Sequence, residues 1–183
     1  MMKEKTMRAL GIIRDALEFE DEGHRFYARS AEETGDPLGR EMFRFLAGEE
    51  MKHIAKLRSV EQKLTKDEAW ESLAEKGIAA ERWNIRSVAQ GLAQEMRLRS
   101  AIGADTSGQK ALEIAEELER RGKAFYENAW RRIRDQAGRD LFAFLEREEE
   151  EHLRVITATR EYFENPRGWL ESVQGFDLSG DVE

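Results

Sequence analysis

Two glutamate–histidine pairs, Glu50 with His53 and Glu149 with His152, have the residue types and spacing to bind metal. At i, i+3 on a helix both side chains project from one face, so each pair offers a carboxylate oxygen and an imidazole nitrogen to the same ion. One Glu-x-x-His is a weak motif in a chain with 38 acidic residues, but here two copies use two of the three histidines. Each pair interrupts an apolar stripe: Phe43, Leu46, Glu50, His53, Leu57, Val60 in one segment and Phe142, Leu145, Glu149, His152, Ile156 in another. Two more glutamates interrupt stripes of small and apolar residues, Ile13, Ala16, Glu20, Gly23, Tyr27 and Leu112, Ala115, Glu119, Gly122, Tyr126. The candidate metal ligands are therefore Glu20, Glu50, His53, Glu119, Glu149 and His152. Glu148 also lies a turn from His152, but the stripe selects Glu149, and the other glutamates of the acidic run 146–151 read as a solvated face.

Four carboxylates facing one interior would repel one another and pay a large desolvation cost. Two divalent ions would balance four ionised glutamates and two neutral histidines, and no lysine or arginine stands on these stripes near the glutamates to replace them. Ala16, Gly23, Ala115 and Gly122 leave room for ions between helices. Tyr27 and Tyr126 lie two turns from Glu20 and Glu119, positioned either to hydrogen-bond a ligand carboxylate or to serve as core aromatics. His24 falls outside the ligand set. Phe26, Phe43, Phe45, Phe125, Phe142 and Phe144 read as core packing and a dry wall around the site, and the four tryptophans carry no clear chemical message.

The elements that position these residues are duplicated. At a constant offset of 99 residues, segments 20–53 and 119–152 share 13 identities in 34 positions without a gap. Within this repeat His24 aligns with Lys123. Each copy reads as a helical hairpin: Asp36-Pro37 supplies a cap and a proline at the first helical position, and Asp135 stands at the equivalent place. The spacing predicts helices over roughly 7–33, 37–63, 107–134 and 136–164, each about 40 Å long. Between the hairpin repeats, 7–63 and 107–164, the segment 65–105 carries its own helix signals. These are a capping box at Thr65 to Glu68, apolar spacing at Ile85, Val88, Leu92 and Met96, and a second box at Thr106 to Gln109. The expected fold is all-α, a four-helix bundle of two hairpins joined by a long, partly helical crossover. One domain is expected over 1–165, with a tail over 166–183 whose Trp169, Leu170 and Phe176 are apolar enough to dock.

Composition narrows the classes further. The absence of cysteine excludes disulfides, thiolate zinc sites, iron–sulfur clusters and cysteine nucleophiles. No apolar run is long enough for a membrane span, and the opening residues lack the pattern of a signal peptide, so a cytoplasmic location is expected. A net charge of -8 argues against general nucleic-acid binding, and the basic stripe from Arg82 to Arg99 reads as a solvated helix face.

These residues resemble the ferritin-like di-iron carboxylate proteins, and within them the rubrerythrin-like group, over about residues 7–164. The resemblance rests on six ligands at one offset and on Glu-x-x-Gly-x-x-Phe-Tyr in both halves. It implies two iron ions, with manganese or zinc as alternatives. Glu50 and Glu149 would bridge them, Glu20 and Glu119 would be terminal ligands, and His53 and His152 would each cap one ion. It further implies an oxidoreductase of peroxidase type that reduces hydrogen peroxide, or dioxygen, with electrons from a separate donor protein. A ferroxidase or iron-handling protein, or a structural or sensory metal-binding bundle, are the alternatives, and a homodimer is the expected assembly. Two departures stand out. A sequence without cysteine holds no rubredoxin domain, and Gly122 occupies the position of an additional glutamate tied to ligand switching in rubrerythrin. The six-ligand set is closer to that of bacterioferritin.

Overall fold

The computed structural model describes residues 4–66 and 106–165. Its regular elements, among the described residues, are four α-helices: α1 (Glu4–Glu33), α2 (Pro37–Thr65), α3 (Thr106–Arg132) and α4 (Gln136–Glu164). The apolar spacing expected between α2 and α3 falls outside these residues, as do most of the first capping box, the basic stripe and the tail, while the second box, Thr106 to Gln109, forms the first turn of α3. Thr65 itself ends α2, its hydroxyl donating back to the Glu61 carbonyl at 2.7 Å.

The two hairpin turns follow from the predicted caps. Asp36 adopts extended backbone, and its Oδ1 accepts from the Gly39 N–H at 2.7 Å, with Pro37 opening α2. Asp135 repeats this, its Oδ1 accepting from the Ala137 and Gly138 N–H groups at 3.0 and 3.3 Å. Because Asp135 must be extended to cap α4, α3 stops at Arg132, two residues before its predicted end. Ile133 still bonds back to the Ala129 carbonyl at 3.1 Å and is buried.

Within each hairpin the helices pack along their length, α1 against α2 and α3 against α4, while α1 meets α3 and α2 meets α4 more sparingly. The apolar faces form two separate cores. One joins Leu10 and Ile13 of α1 to Leu57 and Val60 of α2, Tyr126 of α3 and Leu141, Phe142 and Leu145 of α4. The other joins Tyr27 of α1 to Met42, Phe43 and Leu46 of α2, Leu112 of α3 and Val155 and Ile156 of α4. This pairing makes α1 antiparallel to both α2 and α3, so α2 and α3 run parallel. The end of α2 and the start of α3 therefore lie at opposite ends of the bundle, the geometry that a long crossover serves.

Each buried aliphatic or aromatic side chain of these cores stabilises the fold by roughly 2 kcal/mol. Such apolar burial can offset the belt of polar groups between the two cores, where Glu20, Glu50, His53, Glu119, Glu149 and His152 are all buried.

Candidate metal centre

All six candidate ligands meet in this belt. Their donor atoms form two groups, each lying within 4.8 Å: Glu20, Glu50, His53 and Glu149 in one, and Glu50, Glu119, Glu149 and His152 in the other. Glu50 and Glu149 belong to both groups, while each remaining glutamate and histidine belongs to one. The helix order explains the sharing. Glu50 and His53 rise from α2, Glu149 and His152 from α4, and the antiparallel crossing of those helices brings the two pairs face to face. The imidazoles stack with centroids 5.4 Å apart and planes inclined by 20°.

Both rings turn Nδ1 inward. His53 Nδ1 lies 3.3 Å from Glu20, 3.6 Å from Glu50 and 3.8 Å from Glu149, and His152 Nδ1 lies 3.2 Å from Glu119 and 3.7 Å from Glu50. These Nδ1 atoms and the carboxylate oxygens are the groups able to ligate.

The two tyrosines reach across the bundle. Tyr27 donates to Glu119 and Tyr126 donates to Glu20, each joining one hairpin to the other. They do hydrogen-bond candidate ligand carboxylates, although on the opposite hairpin from the glutamate that shares their stripe. Both are fully buried and stack on the phenylalanine of the next helix, Tyr27 on Phe43 and Tyr126 on Phe142, at 6.2 and 6.0 Å. Phe144 is buried, and Phe26, Phe45 and Phe125 pack against the cores from partly buried positions. His24 stays outside the cluster, with Nδ1 2.9 Å from the Ala47 carbonyl oxygen.

The electrostatics divide the carboxylates into two kinds. Burial and the negative charge of Glu20 push Glu50 well above the usual carboxylate range, and burial with the charge of Glu119 does the same to Glu149. Burial also acts to raise Glu20, but the His53 charge and hydrogen bonds from Glu50, His53 and Tyr126 outweigh it and bring its pKa down to about 2. Glu119 is lowered likewise, by His152, Glu149 and Tyr27 against burial. His53 is raised: burial disfavours its charge, and the neighbouring carboxylates, Glu20 first and then Glu148 and Glu50, more than compensate. Burial and the neighbouring carboxylates raise both tyrosines, which keeps their hydroxyls protonated as donors. Metal-free, the cluster thus favours protons on its two shared carboxyls in place of cations.

The residues fit a pair of divalent ions. The donors are oxygen and imidazole nitrogen, and the charge of the ligand set matches two such ions. Two of its buried atoms, His53 Nε2 and Glu149 Oε1, lack a hydrogen-bond partner. Glycine also makes room where a shared carboxylate leans on a helix. A Cβ at Gly122 would stand 2.7 Å from Glu149 Oε2 and 2.7 Å from the Phe19 ring, whereas at Gly23 it would meet Glu50 at 3.4 Å. At position 122 even a methyl group would force Glu149 or Phe19 to shift.

Within the acidic run three glutamates pair at the surface, Glu146 with the Trp130 indole, Glu150 with Lys123 and Glu151 with Arg154. Glu148 departs from the solvated face expected of it. It is half-buried, with Oε2 4.0 Å from His53 Nε2, and although burial acts to raise it, the neighbouring His53 holds it below the usual range. Its recurrence as Glu49, each directly before a candidate ligand glutamate, was the available sequence signal.

No curated protein matches the chain significantly. The family model named Rubrerythrin matches residues 11–160, a span that contains all six candidate ligands and both tyrosines. The chain belongs to the rubrerythrin family.

Proposed function

We propose that this protein is a non-haem di-iron oxidoreductase that reduces hydrogen peroxide, or dioxygen, with electrons from a separate donor protein. The observation that carries this reading is the sharing of Glu50 and Glu149 by two buried donor groups. In this reading Glu50 and Glu149 would be shared by two ions, Glu20 with His53 would hold one, and Glu119 with His152 would hold the other. Two ferrous ions there would supply two electrons and Lewis acidity to hydrogen peroxide, which with two protons yields two waters. The protein's share is positioning and proton control. Glu50 and Glu149 give up their protons as they become ligands. Tyr27 and Tyr126 hold the outer carboxylates in place by donated hydrogen bonds. The aromatic pairs Tyr27–Phe43 and Tyr126–Phe142 keep bulk water from the two flanks of the cluster.

Gly122 favours a second reading, ferrous oxidation for iron handling, because the crowding there leaves six ligands rather than the set tied to switching. The two readings differ in assembly: a storage cage is a large oligomer, while the peroxide reductase needs no more than a symmetric dimer. Among the described residues no helix is long and apolar enough to cross a membrane.

The test is anaerobic ferrous loading followed by one addition of peroxide while the near-ultraviolet spectrum is recorded. A diferric band that forms with peroxide and disappears on re-reduction supports the peroxide reductase. Release of ferric iron into a large assembly would support iron handling, and no spectral response after iron loading would leave a metal-binding bundle without this activity.

A further inference from the structure

We propose that Glu148 is a positioning residue for His53 and that it makes the Glu20–His53 ion position tighter than the Glu119–His152 position. This rests on the metal centre described above. Both histidines turn Nδ1 toward the carboxylates. A neutral imidazole that ligates through Nδ1 carries its hydrogen on Nε2, and that N–H needs an acceptor when buried. His53 Nε2 is buried without a hydrogen-bond partner, and the carboxylate facing it is Glu148, 4.0 Å away on the opposite hairpin. Closing this gap by about 1 Å gives an N–H···O bond of ordinary length.

The other half of the repeat lacks this arrangement. Glu49, the counterpart of Glu148, is drawn to Lys52 Nζ at 2.8 Å. At the position equivalent to Lys52 stands Glu151, which pairs with Arg154 instead. Besides the histidines, the positive charge acting most on Glu148 is Lys56, whose ammonium lies over the Phe144 ring at 3.6 Å. Glu148 is therefore available to His53, while Glu49 is committed to its own helix. A carboxylate behind a ligating imidazole fixes the ring and raises its basicity, and its loss typically lowers metal affinity 10- to 100-fold.

The experiment is a cobalt(II) titration of the full chain by calorimetry and visible absorption, with Glu148→Ala, Glu148→Gln and Glu49→Ala beside the unaltered protein. The expected result is two ions of unequal affinity. Glu148→Ala should weaken the tighter one by about 10- to 100-fold and leave the other unchanged, Glu148→Gln should recover part of the loss because its amide oxygen still accepts, and Glu49→Ala should leave both. In the zinc-loaded protein the His53 Nε2–H proton should give a hydrogen-bonded resonance that Glu148→Ala removes. Equal weakening by Glu49→Ala and Glu148→Ala, or unchanged affinities in both Glu148 variants, would overturn the proposal while leaving the two-ion centre standing. Failure of the unaltered chain to bind two ions would overturn the centre itself. Should Glu148→Ala not fold, Glu148→Gln with the resonance decides, since a purely packing role would not move that proton signal.

Discussion

The two hairpins carry the same candidate ligands but not the same surroundings. Glutamate, histidine, tyrosine, glycine and the phenylalanine beneath the tyrosine recur at one offset in both halves. One layer further out the halves diverge: Glu49 is tied to Lys52 while Glu148 faces His53, and Gly23 has an ordinary contact where Gly122 has none to spare. In the two-ion reading proposed above, the difference separates what the centre demands twice from what only one ion position would receive. The first set is dictated by coordination, charge balance and the need to bury both; the second tunes.

The pH response tests the shared part and should give the largest effect. In the metal-free chain Glu50 and Glu149 lie above their ordinary 4.5, so the stability they contribute is complete below that value and is lost as pH rises through their folded values. Raised His53 acts in the same direction above its ordinary 6.5. Glu20, held at about 2, contributes stability above 4.5 that is lost as pH falls toward 2. Chelator-treated protein should therefore lose Tm as pH rises from about 5 to 9. The zinc-loaded protein should gain metal affinity over the same range because binding releases those protons. Thermal scans in both states check this, and parallel curves would contradict it.

Tyr27→Phe and Tyr126→Phe probe the crosswise hydrogen bonds. Each should destabilise the protein by about 2 kcal/mol, since each leaves a buried carboxylate short of a donor. Denaturant midpoints at constant slope measure it, and a strong inequality between the two would break the equivalence of the halves. The glycines sharpen the contrast. Gly122→Ala should cost about 1–3 kcal/mol through overpacking against Phe19 and Glu149. Gly23→Ala should be neutral or stabilising, with up to about 1 kcal/mol from helix propensity. Equal midpoint shifts would show that the crowding at Gly122 is relieved without cost. The smallest effects belong to the turns, where Asp36→Ala and Asp135→Ala should each lose about 1 kcal/mol in thermal unfolding.

Much of this architecture is legible in the sequence because its physical demands are periodic. A glutamate inside an apolar stripe is conspicuous at helical spacing, and the offset of 99 residues confirms each stripe from the other half. Tyr27 and Tyr126 show where such reading stops. Their stripe places them near a carboxylate, but which one depends on α1 and α3 running antiparallel, a tertiary fact that no single helix encodes. Glu148 was obscured for a different reason. In a run of four consecutive glutamates, one that turns inward looks like those that pair at the surface, and within the sequence only its recurrence as Glu49 sets it apart, with the contact to His53 supplied by the neighbouring hairpin. The end of α3 was misplaced by two residues because helix propensity continues through Ile133 and Arg134, while the cap geometry of Asp135 overrides it.

The central claim, two ions sharing Glu50 and Glu149, is tested most directly by metal stoichiometry per chain after ferrous or cobalt(II) loading, with Glu50→Ala and Glu149→Ala alongside. The account predicts about two ions per unaltered chain and loss of the paired site in each variant, because removing either shared carboxylate disturbs both positions. Two ions retained in both variants, or one ion in the unaltered chain, would contradict it.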